Sequence, residues 1–241
     1  MITLYGWGPM FGCPSPSPYV MKTEIQLQMF GLEFKRAMAD LDAVSKHKAP
    51  YLKDGDLLIQ DSNFIRAHFE DKLGKSLNTG LTPEEEADAW ALERMAEGHL
   101  MQCLGYDRWM IPENFNKGPV MFFMAAPEPQ RSAIIKDTLE HVAANYQGNG
   151  FGRHTASERH QLADWDIRAI ATRLGDKPFL FGDEPTAADA SVSAVLISAA
   201  TDFFDTPLVK LVTQHENLNG YMKRMSELYF AESLWPVPEI A

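Results

Sequence analysis

Within residues 12–22, GCPSPSPYVMK, three prolines surround three side chains able to act as nucleophiles or to stabilise one: Cys13, Ser15 and Ser17. Pro18 suits a first helical position, so Ser17 would stand at the N-terminal cap of the helix that follows. A helix start stabilises negative charge through its free N–H groups, which favours a thiolate or a bound anion there. Two readings stay open on these residues alone. The turn presents a nucleophile or its activator, or it is a stiff, polyproline-like connection ending in a serine cap.

A second stretch, KAPYLKDGDLLIQDS (48–62), has the parts needed to grip a small peptide. The bond before Pro50 can be cis at modest cost, which would turn the Ala49 backbone outward to pair with an extended ligand as an added strand. Asp61 and Ser62 fall at a helix start, where the serine can donate to a carboxylate and the aspartate can accept from an ammonium. Together they suit a zwitterionic amino-acid head. Taken singly, each is an ordinary cap or edge residue; the joint spacing carries the reading.

The elements that must position these residues follow from local pattern. ITLYGW (2–7) reads as a buried strand, Pro18 opens a helix that Gly31 stops, and EFKRAMA (33–39) alternates as a second strand. Asp54-Gly55 marks a tight hairpin turn between APYL and LLIQ. Asp61-Ser62 then opens a helix to Leu73, with Phe64, Ile65, His68 and Phe69 spaced to face a core. This gives a compact α/β domain over 1–75. After a polar linker, Thr82-Pro83 followed by three glutamates is a strong helix start, and 83–241 reads as an all-helical domain. Helices are expected over 83–111, 128–147, 156–175, 186–203 and 206–230, with a Pro/Gly-punctuated excursion at 112–129. Thr186 and Asp189 have capping-box form.

Composition narrows the function. Over 241 residues, 45% hydrophobic and 23% charged content predicts an ordinary folded protein, and a net formal charge of −11 argues against nucleic-acid binding. Two cysteines without CxxC spacing give no disulfide framework, and His154 and His160, six apart, fit no single helix face, so no metal site is expected. No segment reads as a signal peptide or a membrane span, which makes the cytoplasm the expected compartment. His99, Gln102, Cys103, Tyr106, Trp109 and Met110 recur at helical spacing, as a core stripe or a pocket wall.

With SPYVMK, APYL…DG…DS and PTAADASV in this order, the chain resembles the glutathione transferase superfamily. SPSPYVMKTEIQLQMFGL, LERMAEGHL…YDRW and KPFLFGDEPTAADASV narrow the resemblance to its failed-axon-connections and metaxin-like branch, bacterial members included, from about residue 2 to Trp235-Pro236. The resemblance implies a thioredoxin-like N-terminal domain, an all-α C-terminal domain and a glutathione site between them. It implies a cis bond before Pro50, with Ala49 pairing to the glutathione backbone and Asp61 and Ser62 holding its γ-glutamyl end. Lys48 is implied at the glycine carboxylate, and Ser17 as the hydroxyl facing the thiol, with Ser15 and Cys13 as weaker candidates. Tyr106 and Trp109 would line a pocket for a small hydrophobic electrophile. A homodimer is expected. Two other functions fit the same resemblance: a non-catalytic scaffold of metaxin type, and a glutathione-dependent reductase built on Cys13.

Overall fold

The computed structural model describes residues 1–232 and Trp235. The N-terminal domain begins with strand β1 (Ile2–Gly6), helix α1 (Pro18–Met29) and strand β2 (Lys35–Met38). Strands β3 (Tyr51–Asp54) and β4 (Leu57–Gln60) and helix α2 (Ser62–Leu73) complete it. The sheet order is β2-β1-β3-β4, with β1 parallel to β2 and antiparallel to β3, which in turn pairs antiparallel with β4. This is the expected thioredoxin-like arrangement. The turn between β3 and β4 places Gly55 at φ 63°, where a side chain would be strained.

Leu4, Val20, Leu27, Leu52, Ile65 and Phe69 close the core of this domain. Phe64 is a correction to the sequence expectation. It lies outside that core, 61% exposed, with the Lys46 ammonium 4.6 Å above its ring. On a helix lying against a sheet, Ile65 and Phe69, four apart, define the inward stripe, and position 64 falls off it.

The second domain is built of helices joined by turns: α3 (Pro83–Met95), α4 (Met101–Trp109), α5 (Pro112–Lys117), α6 (Gln130–Asn149), α7 (Ala156–Leu174), α8 (Ala187–Ala200), α9 (Pro207–Thr213) and α10 (Glu216–Tyr229). The expected helix over 83–111 is interrupted by a π-helical turn at Ala96–Leu100. The expected helix over 206–230 breaks at Gln214-His215 into α9 and α10. The excursion at 112–129 contains α5 and a 3-10 turn at Pro119–Phe123.

Helix α8 is the axis of the domain and packs against α1 across the domain boundary. Its start is held by the expected capping box. Asp189 accepts from the Thr186 N–H and hydroxyl, both at 2.8 Å, and also from Leu180 N–H at 2.9 Å and the Tyr221 hydroxyl at 3.0 Å. Near the C-terminus, the Trp235 indole donates to Glu24 at 2.9 Å, and Glu24 pairs with Arg36. Pro236 and the rest of the expected domain to 241 lie outside the described residues.

Candidate functional site

A cleft of about 600 Å³ opens where α2 and the start of β3 face α3 and the π turn. Lys48, Ala49, Pro50, Asp61 and Ser62 all line it. The Ala49–Pro50 bond is cis, and the Asp61 N–H donates to the Pro50 carbonyl at 3.4 Å, tying the strand start to the helix cap. Asp61 caps α2 through Oδ1, which accepts from Asn63 N–H at 2.9 Å, and it adopts φ 90°. A non-glycine residue held at such a φ stores strain that local contacts must offset. Ser62 is buried, Ala49 half-buried and Lys48 exposed. The cleft thus offers a cation, Lys48, and a carboxylate, Asp61, beside the apolar Ala49 and Pro50, which suits a small peptide carrying both charges.

The far wall is a charge network that the sequence reading missed. Lys22, 1% exposed on α1, donates to Glu97 at 2.7 Å and to Asn63 Oδ1 at 2.6 Å. Arg94 bridges the same two residues, at 3.1 Å to Glu97 and 3.3 Å to Asn63. Glu93 receives Arg66 at 2.9 Å and Ser191 at 3.0 Å. Asn63, Arg94 and Glu97 line the cleft, so the helix cap that carries Asp61 and Ser62 is braced from the helical domain. The available signal was the pair Lys22 and Glu24, the two charged residues of helix α1. Charges placed there must be buried, and buried charges are paired.

The opening turn sorts its three candidates by depth. Ser17 is the α1 N-cap, half-buried, and its Oγ accepts from Val20 N–H at 3.4 Å. That leaves its hydroxyl proton free to be donated. Ser15 is fully buried and accepts from Ser17 N–H at 3.3 Å, supporting the turn from inside. Cys13 packs with Met21 and Ala194, and burial pushes its thiol up, away from the thiolate a nucleophile requires. Ser17 is not among the residues lining the 600 Å³ cleft; Tyr19 and Trp7, on either side of the turn, are.

Tyr19 also reaches a second cleft, of about 390 Å³, between α4 and α6, lined with Gln102, Gly105, Trp109, Val142 and Tyr146 among others. Trp109 therefore faces this space. Tyr106 does not line it: its ring meets Tyr146 edge-on at 5.1 Å and carries the Arg159 guanidinium at 3.7 Å on one side. The Tyr19 hydroxyl donates to the Glu97 carbonyl at 3.0 Å, and its pKa is pushed up to about 12, by burial first and by the Glu97 charge next. Its phenol is neutral at ordinary pH.

Residues 18–114 match the glutathione S-transferase N-terminal domain family, and residues 163–225 match the glutathione S-transferase C-terminal domain family. The chain is 31% identical over 240 residues to the isoprene-epoxide–glutathione S-transferase of Rhodococcus sp. (strain AD45), covering 95% of this chain and 99% of that one. This chain belongs to the glutathione S-transferase superfamily. It is 29% identical over 245 residues to Failed axon connections of Drosophila melanogaster, covering 96% of this chain and 59% of the relative. In fold it resembles the glutathione S-transferase of Methylobacterium radiotolerans crystallised with glutathione sulfonate, with a TM-score of 0.63, 19% identity and coverage of 100% and 97%. No helix among the described residues of this superfamily member is long and apolar enough to cross a membrane.

Proposed function

We propose that this protein is a glutathione transferase that joins the glutathione thiol to a small apolar electrophile. The observation that carries the reading is the convergence of Lys48, Ala49, Pro50, Asp61 and Ser62 on one cleft at the domain boundary. Ala49 would pair with the peptide backbone, Ser62 and Asp61 would take the γ-glutamyl carboxylate and ammonium, and Lys48 would meet the glycine carboxylate. Ser17 would donate its free hydroxyl proton to the thiolate, at a helix start that already favours negative charge.

The electrophile would sit in the adjoining cleft against Trp109. The name of the Rhodococcus relative makes a small alkene epoxide the first candidate. In that reaction the thiolate sulfur bonds to one epoxide carbon, the carbon–oxygen bond breaks, and the alkoxide takes a proton from solvent. A homodimer completes the reading and rests on family likeness.

Binding and turnover are tested separately. Glutathione at one hundred times its Kd should stabilise the fold by about 2.7 kcal/mol, and an epoxide added with it should be consumed. No thermal shift with millimolar glutathione would overturn the assignment. A second reading, a glutathione-binding scaffold without chemistry, is favoured by one observation: Ser17 does not line the main cleft. Binding without turnover would select it. The Cys13 reductase reading is opposed by the burial of that thiol.

A further inference from the structure

Cys103 and Asp107 lie four residues apart on one face of α4, each 1% exposed, and His160 meets them from the first turns of α7. One thiol sulfur, one carboxylate oxygen and one imidazole nitrogen fall within 4.8 Å of one another. His160 Nε2 lies 2.9 Å from Asp107 Oδ2, the oxygen that also receives the Thr206 hydroxyl. The other carboxylate oxygen, Oδ1, is buried without any hydrogen-bond partner. A buried carboxylate oxygen without a donor is costly, and a bound ion is one way to satisfy it.

We propose that Cys103, Asp107 and His160 bind a zinc ion that pins α4 to α7. Sulfur, imidazole nitrogen and carboxylate oxygen are the three donor types zinc takes, and ligand atoms around tetrahedral zinc lie roughly 3.3–3.8 Å apart. The widest pair, within 4.8 Å, would close by about 1 Å, while His160 Nε2 and Asp107 Oδ2, now 2.9 Å apart, would open slightly and exchange their hydrogen bond for bonds to the metal. The charges also balance. On binding, the Cys103 thiol loses its proton to solvent, and one thiolate and one carboxylate then neutralise the dication inside the protein. Water fills the fourth position, entering past His160, whose side chain is 16% exposed. Asp107 immediately precedes Arg108, which supports the turn before Ser17.

The test is metal content and spectrum of the full chain. Purified protein exposed to zinc and then dialysed should hold about one equivalent per chain. Replacing zinc with Co²⁺ should give the intense ultraviolet thiolate-to-cobalt band and the visible bands of a tetrahedral site. Cys13→Ser should keep that band, while Cys103→Ser should abolish it and His160→Gln should cut zinc retention by at least about tenfold. Chelation should lower the Tm of the wild type and leave that of Cys103→Ser unmoved. No retained zinc in the wild type, or a cobalt spectrum without a thiolate band, overturns the proposal, and neither result depends on a variant that folds. An unchanged zinc content in a folded Cys103→Ser chain would assign the metal to surface histidines and overturn it as well.

Discussion

Nη1 of Arg108, on α4 of the helical domain, donates at 3.0 Å to the carbonyl of Pro16, the residue before Ser17. Nη2 of the same guanidinium donates at 2.7 Å to the Ser198 carbonyl on α8. One buried fork thus holds the candidate nucleophile turn against the second domain. Lysine at 108 can satisfy one of these carbonyls but not both in the same geometry. Arg108→Lys should therefore lower stability by about 1–3 kcal/mol, the cost of one orphaned buried acceptor. Turnover per folded molecule should fall while the glutathione Kd holds. Denaturant unfolding beside kcat and calorimetry checks this; a stability loss with unchanged kcat would show that the turn keeps its geometry without Arg108.

Ser17→Ala should raise the pKa of bound glutathione toward that of a free thiol, about 8.5. The acid limb of turnover then moves to higher pH, because less thiolate is present at each pH below it. Affinity, held by Ala49, Asp61 and Ser62, should stay near wild type. Tyr19→Phe should leave the limb in place, since that phenol, with its pKa pushed up to about 12, is neutral throughout the range. Ultraviolet titration of the bound thiolate in both variants is the measurement, and an unmoved titration in Ser17→Ala would remove Ser17 from the chemistry.

Asp61→Gly separates strain from binding. Glycine accepts φ 90° freely, so relief of about 1–3 kcal/mol of backbone strain should outweigh the few tenths lost when glycine replaces an aspartate N-cap. The variant should be more stable than the wild type. Its glutathione affinity should fall by about 1.5–3 kcal/mol, the range for a hydrogen bond to a charged group. Thermal unfolding and calorimetry on one preparation decide the matter; affinity unchanged would make Asp61 a cap and nothing more.

Lys22→Met removes the ammonium between Glu97, Glu93 and Asn63. Losing one partner of a buried pair typically costs about 3–5 kcal/mol, and the lower end applies because Arg94 and Arg66 still reach the two glutamates. The double variant Lys22→Met/Glu97→Gln should recover part of that loss. Urea unfolding of the two variants supplies the comparison, and equal losses would show that Glu97 is not the group left unpaired.

The pH dependence of stability has one assignable contributor at the β3–α2 contact. Asp54 is held below its ordinary carboxyl value of 3.8, first by the hydrogen bond from Lys72 and then by that from His68. A lowered folded-state pKa contributes stability that is present above the unfolded value and lost as pH falls through the folded one. Asp54→Asn should therefore be less stable than wild type near neutrality, with the gap closing as the pH drops below 3.8. Urea midpoints across that range check it, and a gap independent of pH would assign the loss to packing.

What the sequence determined by itself was local. Pro18 after Ser17, Gly55 after Asp54, Thr82-Pro83 and Thr186…Asp189 each restrict a few neighbouring backbone angles, so the helix starts, turn and cap they mark appear where expected. The family's order of motifs tied those pieces into two domains. What the tertiary structure decided was depth and partnership. Cys13, Ser15 and Ser17 look alike as a string, yet packing of α1 on α8 buries the first two and leaves the third half-open. Lys22, Asn63, Arg94 and Glu97 are spread over 76 residues and carry no shared spacing, so only the meeting of α1, α2, α3 and the π turn could join them. Cys103, Asp107 and His160 converge for the same reason. Side-chain periodicity reports which face of a helix is apolar, and it is silent on which distant helix will cover that face.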